Sequence, residues 1–154
     1  RGEEFVTRKI ILGLLQILKG DRNLLEVGNI YAKRDWGYAK EYVEVMWKML
    51  QQKKPEDYVI STGKTYSIKN FINITIKKLG IKAKWTGKGL NEKLVNQETK
   101  KVVIKINPKY FRPAEVNILI GNSLKAKQKL NWQSKTNLNK LIDIMLSEEI
   151  KYYN

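Results

Sequence analysis

Residues 32–52 read AKRDWGYAKEYVEVMWKMLQQ, and the two parts of this stretch obey different rules. Ala32 to Gly37 is polar and ends on glycine, as irregular segments do. From Tyr38 to about Gln52 the side chains of Tyr42, Val45, Met46 and Met49 recur at helical spacing, which predicts a helix closed by Lys54-Pro55-Glu56-Asp57. Working upstream, Leu24-Leu25-Glu26-Val27 predicts a strand ending at Gly28-Asn29. Before it, Phe5, Val6, Ile10, Ile11, Leu14, Leu15 and Leu18 predict a helix opened by Glu3-Glu4 at its positive end and stopped by Gly20-Asp21. Downstream, Tyr58-Val59-Ile60-Ser61 predicts a strand broken at Gly63, and Ser67 an N-cap for a helix carrying Ile68, Phe71, Ile72 and Ile76 to Gly80. Two extended stretches follow, Ile81 to Trp85 and Val102 to Ile106. They are joined by a polar connection through Gly87, Gly89 and Asn96 to Lys101 that is expected to be mobile. Pro108 and Pro113 bracket a non-helical segment, and helices are expected at about Ser123 to Leu130 and Leu138 to Ile150. Short strands between helices, with no internal repeat, make this an α/β or α+β chain in one domain.

The 154 residues are 42% hydrophobic and 29% charged, a soluble globular composition, and no apolar run approaches the length of a membrane span. Without cysteine or histidine the chain has no disulfide, no thiolate chemistry, no zinc site and no Ser/His/Asp or Cys/His triad. Acidic residues could in principle bind magnesium or calcium, but no calcium-loop motif is present and no metal site is expected. The absence of cysteine suits a reducing cytoplasm. The first residue is Arg1, not methionine, and nothing near it reads as a secretion signal, so a fragment of a longer chain is expected.

Thirty lysines and arginines against fifteen acids give +15, which raises a nucleic acid as partner. The lysines are dispersed, however, as on a solvated basic surface. Arginine is rarer and placed differently: four of five fall in 1–10, 28–37 and 110–116, each with backbone-breaking or aromatic residues. The planar guanidinium suits bidentate phosphate binding, whereas lysine acts as a flexible point charge. The alternative is structural: Arg34 and Asp35 in a surface turn, Trp36 packed, Arg112 paired with Glu115. Trp47 and Trp132 also read as packing residues.

The order of RGEEFVTRKI (1–10), GN (28–29), KRDWGYAKEYVEVMWKMLQQKKPEDYVISTG (33–63), NPKYFRPAEV (107–116) and GNSLKAKQKLNW (121–132) resembles the C-terminal part of the GDP-mannose 4,6-dehydratase family. That family lies within the extended short-chain dehydrogenases/reductases, and the likeness spans nearly the whole chain. It implies an α/β, Rossmann-type enzyme in which residues 1–154 form the GDP-sugar-binding C-terminal portion and an N-terminal NADP-binding Rossmann half is absent. The sequence agrees: it has no G-x-x-G-x-x-G turn, and none of its eight tyrosines has a lysine four residues later. The implied reaction is an NADP-dependent lyase step. GDP-mannose is oxidised at C4, loses water across C5 and C6, and receives the hydride at C6 to give GDP-4-dehydro-6-deoxy-mannose, a precursor of fucose and related deoxy sugars. No catalytic residue falls in this chain, which is expected to be inactive alone and to join a homo-oligomer when intact.

Carried over position by position, the resemblance implies that Arg1 reaches the NADP cofactor. Val6 and Lys9 would lie along the guanine, Asn29 and Arg34 beside the diphosphate, Arg112 on the phosphates, and Glu115 on the ribose hydroxyls. A cation meeting a dianion and an acceptor-only carboxylate meeting a diol make the last two assignments chemically direct. Two positions depart from the family: Leu130-Asn131-Trp132 replaces Leu-Gly-Trp, and Gly121-Asn122 replaces Gly-Asp. Asparagine tolerates the left-handed conformation, so the first turn is expected to survive. The competing reading is a basic nucleic-acid-binding module with interleaved aromatics such as Tyr31, Trp36 and Trp85.

Overall fold

The computed structural model describes residues 2–111 and 114–153. Helix α1 (Val6–Lys19) ends at Gly20, whose φ of 88° lets the Asp21 amide reach back to the Gln16 carbonyl. Strand β1 (Leu25–Val27) follows, then the two-residue strand β2 (Lys33–Arg34) and helix α2 (Ala39–Leu50). Strand β3 (Tyr66–Ser67) runs directly into α3 (Ile68–Lys78), where the Ser67 hydroxyl accepts from the Asn70 amide as the sequence predicts. Strands β4 (Ala83–Thr86), β5 (Lys93–Asn96) and β6 (Val102–Ile106) precede α4 (Leu124–Leu130) and α5 (Leu138–Tyr153).

The main sheet has the order β1-β6-β5-β4, with β1 parallel to β6 and the other neighbours antiparallel. Helices α1, α3 and α5 pack together and bury Ile10, Leu14, Phe71, Ile72 and Ile142 with Leu25, Leu94 and Ile104 of the sheet. A second cluster joins Val45 of α2 to Ala126, Leu130 and Trp132. Asn131 adopts φ 47° and ψ 47°, the left-handed turn expected of it, and Trp132 donates its indole N–H to the Glu41 carbonyl at 3.1 Å. No helix of the described residues is long and apolar enough to cross a membrane.

Four expectations are corrected. Tyr58 to Ser61 forms no strand: Tyr58 and Ile60 pack on the second cluster while Val59 faces solvent, so the alternation is there but no backbone pairs with it. The connection expected to be mobile contains β5, a central strand, because pairing on both sides overrides a weak four-residue pattern. Glu3 and Glu4 precede α1, whose first turn starts at Val6. Trp47 does not pack; it is 61% exposed, in a stripe on α2 with Val43, Met46 and Leu50.

Glu41 ties α2 to the segment before α5. Its carboxylate accepts from the Ser134 hydroxyl, the Lys135 and Thr136 amides and the Thr136 hydroxyl at 2.7 to 3.2 Å. Burial pushes the acid up, but these hydrogen bonds together hold it below the ordinary carboxylate range. A depressed folded value means the stabilisation is complete above the ordinary carboxylate range and is lost as pH falls through the folded value. Glu41→Gln should therefore lower the urea midpoint at neutral pH, and its gap from wild type should narrow on acidification; a pH-independent gap would contradict this.

Candidate functional site

Beyond the carboxyl ends of the parallel pair β1 and β6, two turns meet. In open α/β sheets this is where ligands bind. A Cβ on Gly28 would lie 2.4 Å from the Tyr110 carbonyl oxygen, so glycine is what allows the turn after β1 to touch the Pro108–Tyr110 turn after β6. Asn29, next in the chain, folds its Oδ1 back to accept from the Tyr31 amide at 3.0 Å. Asn107 shapes the other turn by accepting from the Lys109 amide and donating to Glu26, which also pairs with Lys105 at 2.9 Å. Helix α1 brings Lys9 over the Tyr110 ring, its Nζ 3.9 Å from the centroid. Burial, with Arg22 adding repulsion, lowers the Lys9 pKa from the usual lysine value. Val6, one turn earlier, packs on the edge of the core.

Arg34 anchors the neighbouring seam. Its strand pairs with β3 on one side and on the other with residues 117–119: the Lys33 amide donates to Asn117, and the Leu119 amide to Lys33. The Arg34 guanidinium binds Glu115 Oε1 at 2.9 Å and the Val116 and Lys33 carbonyls at 2.7 and 2.8 Å. Asp35 accepts from the Thr62 amide and hydroxyl and from the Gly63 amide, while Trp36 meets Phe71 edge-on at 5.2 Å. Two stretches of chain, 29–34 and 110–115, join this seam to the Lys9–Asn29–Tyr110 group, so their backbones lie within about 18 Å of each other.

The structure thus brings Lys9 and the Gly28–Asn29 turn to Tyr110, and Arg34 to Glu115, while Val6 packs against the core. Arg1 and Arg112 lie outside the described residues. Of the structural alternative, Trp36 packs as expected and Arg34 lies in a short strand, not a turn; the Arg112–Glu115 pair falls outside the described residues, and Glu115 pairs with Arg34. The arginine pattern also over-reads one residue: Arg8 ties α1 to α5 through Glu149 at 2.6 Å. What the sequence did not reveal is the buried carboxylate of Glu92, bonded to Tyr31 and Lys69. A lone glutamate in a polar loop carries no signal of burial.

The fold recurs in solved structures. RMD from Pseudomonas aeruginosa complexed with NADPH superposes with a TM-score of 0.76 at 16% identity, covering 99% of this chain and 44% of that one. UDP-glucose 4-epimerase from Thermotoga maritima with UDP-glucose gives 0.71 at 20% identity, covering 99% and 41%. The fold is that of the C-terminal part of an extended short-chain dehydrogenase/reductase. The GDP-mannose 4,6 dehydratase profile matches residues 1–145. GDP-mannose 4,6 dehydratase of Dictyostelium discoideum is 48% identical over 152 residues, and that of Homo sapiens 43% over 151. The chain belongs to this family. It spans 43% and 41% of the length of those two relatives.

The nicotinamide cofactor that the resemblance implies does not fit the described residues. Their strand-to-helix connections include no glycine-rich turn; β3 enters α3 with no intervening residue, and Ser67 already caps that helix.

Proposed function

We propose that these residues hold GDP-mannose for the 4,6-dehydration after which the family is named. The observation that supports this most is the meeting of Lys9 and the Gly28–Asn29 turn with Tyr110 at the carboxyl ends of β1 and β6, together with the Arg34–Glu115 pair. In this reading Val6 and Lys9 face the guanine, with the lysine donating to its carbonyl oxygen. Asn29, Arg34 and Arg112 face the diphosphate. Among the described residues Arg34 engages only Oε1 of Glu115, so Oε2 remains for the ribose diol. The work of this part is positional: fixing the nucleotide orients the hexose, an effect that can be worth several kcal/mol.

NADP, with Arg1 at its edge, and the catalytic groups belong in this reading to the part of the family chain outside these 154 residues. The apolar stripe of Val43, Met46, Trp47 and Leu50 suits a helix that packs against that part. In this reading the intact enzyme is an oligomer, and a cytoplasmic one suits the cysteine-free sequence.

Calorimetry with GDP and ADP on the 154-residue chain tests the reading. GDP should bind in preference to ADP, and Lys9→Met should reduce that preference while sparing the common phosphate affinity. An unchanged ratio would remove Lys9 from the base, and equal loss of both nucleotides would make it a phosphate ligand.

A further inference from the structure

Glu92 is 4% exposed, follows the short helical turn Gly89–Asn91, and is a carboxylate for which the nucleotide site has no use. One oxygen accepts from the Lys69 ammonium and the other from the Tyr31 hydroxyl at 2.5 Å. Lys69 is held in turn between two rings, its Nζ 5.3 Å from that of Tyr31 and 5.1 Å from that of Trp85, whose indole N–H donates to Asn73. Every polar group around this carboxylate is therefore fixed by another one. Such satisfied networks rigidify what they touch.

What this network touches is the turn after β1. Ile30 and Ala32 of this turn are buried in the core, whereas Tyr31 between them is exposed and Asn29 is half-buried. The Ile30 and Ala32 carbonyls accept from the Lys69 and Ile68 amides, which docks the stretch on the start of α3. Tyr31 is held at both ends: its hydroxyl by Glu92, its amide by Asn29 Oδ1. With Oδ1 turned to the Tyr31 amide, the Asn29 carboxamide presents its Nδ2 donor to a ligand.

We infer that Tyr31 and Glu92 are positioning residues for Asn29, holding its side-chain amide as a one-sided donor toward an anionic group of the nucleotide. The nucleotide part of this statement rests on the GDP-sugar reading; the positioning part does not. Without the Glu92 bond the Asn29–Tyr31 turn is held only by its docking on α3, so the Tyr31 amide is held less firmly against Oδ1 and the Asn29 carboxamide samples a wider range of orientations.

Tyr31→Phe removes one hydroxyl and keeps the ring and the Glu92–Lys69 pair. The side-chain amide of Asn29, followed by NMR relaxation on the full chain, should be ordered in wild type and lose order in Tyr31→Phe, while backbone order in α3 and β6 is kept. Glu92→Leu, which has no acceptor, breaks the same link from the other end and should give the same loss at Asn29. GDP affinity should fall about three- to tenfold in Tyr31→Phe. In an Asn29→Ala background the same substitution should change affinity no further.

An Asn29 amide equally ordered in wild type and both variants would overturn the positioning role, whatever happens to GDP. Additive losses in the double variant would also overturn it, since Tyr31 would then act on the ligand by another route. If wild type binds no GDP, the nucleotide reading falls, and the amide measurement still decides whether Glu92 orders Asn29.

Discussion

Arg34→Ala is expected to weaken GDP binding by about ten- to a hundredfold, the cost of losing a charge-assisted contact. Two effects act in the same direction. The phosphate loses a planar donor set, and Glu115, paired with Arg34 at 2.9 Å, becomes an uncompensated carboxylate beside an anion. Arg34→Lys should fall in between, because a lysine supplies the charge without the fork that reaches Glu115 and the Val116 carbonyl together. Calorimetry on the full chain measures the effect. Equal affinity in wild type and Arg34→Ala would leave Arg34 as a seam residue only.

The largest effect on stability is expected from Phe71→Ala, about 3 to 5 kcal/mol. Phe71 is fully buried in the core cluster that α1, α3, α5 and the sheet share, and its ring meets Trp36 edge-on. Truncation leaves a cavity that three packed helices cannot close. Against a total stability of about 5 to 15 kcal/mol for a domain, that loss is enough to populate the unfolded state. Urea unfolding followed by tryptophan emission measures it. A cost below about 1 kcal/mol would show that the core yields freely at this point.

Much of this fold was legible in its helices. The spacing of Ile10, Ile11, Leu14 and Leu15 located α1, and Ser67 located the start of α3, because cap and periodicity are local properties of the chain. The strands were harder. Lys93-Leu94-Val95-Asn96 has two apolar residues and is a strand only because β4 and β6 flank it. Tyr58 to Ser61 carries a better strand pattern and has no partner. At the site, resemblance pointed to Lys9, Asn29, Arg34 and Glu115, but no local rule could show that Arg34 would bond to Glu115 across 81 residues. Glu92 stayed hidden for the same reason: its burial is made by Tyr31 and Lys69, both remote in sequence.

The sheet order leaves β4 with one side unpaired. An open edge is a template on which another chain can add a strand and start a fibre. Here Lys84 and Lys88 are exposed along and just beyond that edge, with Lys82, paired to Glu98 at 3.0 Å, just before it. A second molecule arriving edge to edge would meet like charge along the approach, which opposes strand addition. Part of the lysine excess thus has a use that involves no ligand: it is a colloidal guard, keeping a small protein with an unfinished sheet in solution.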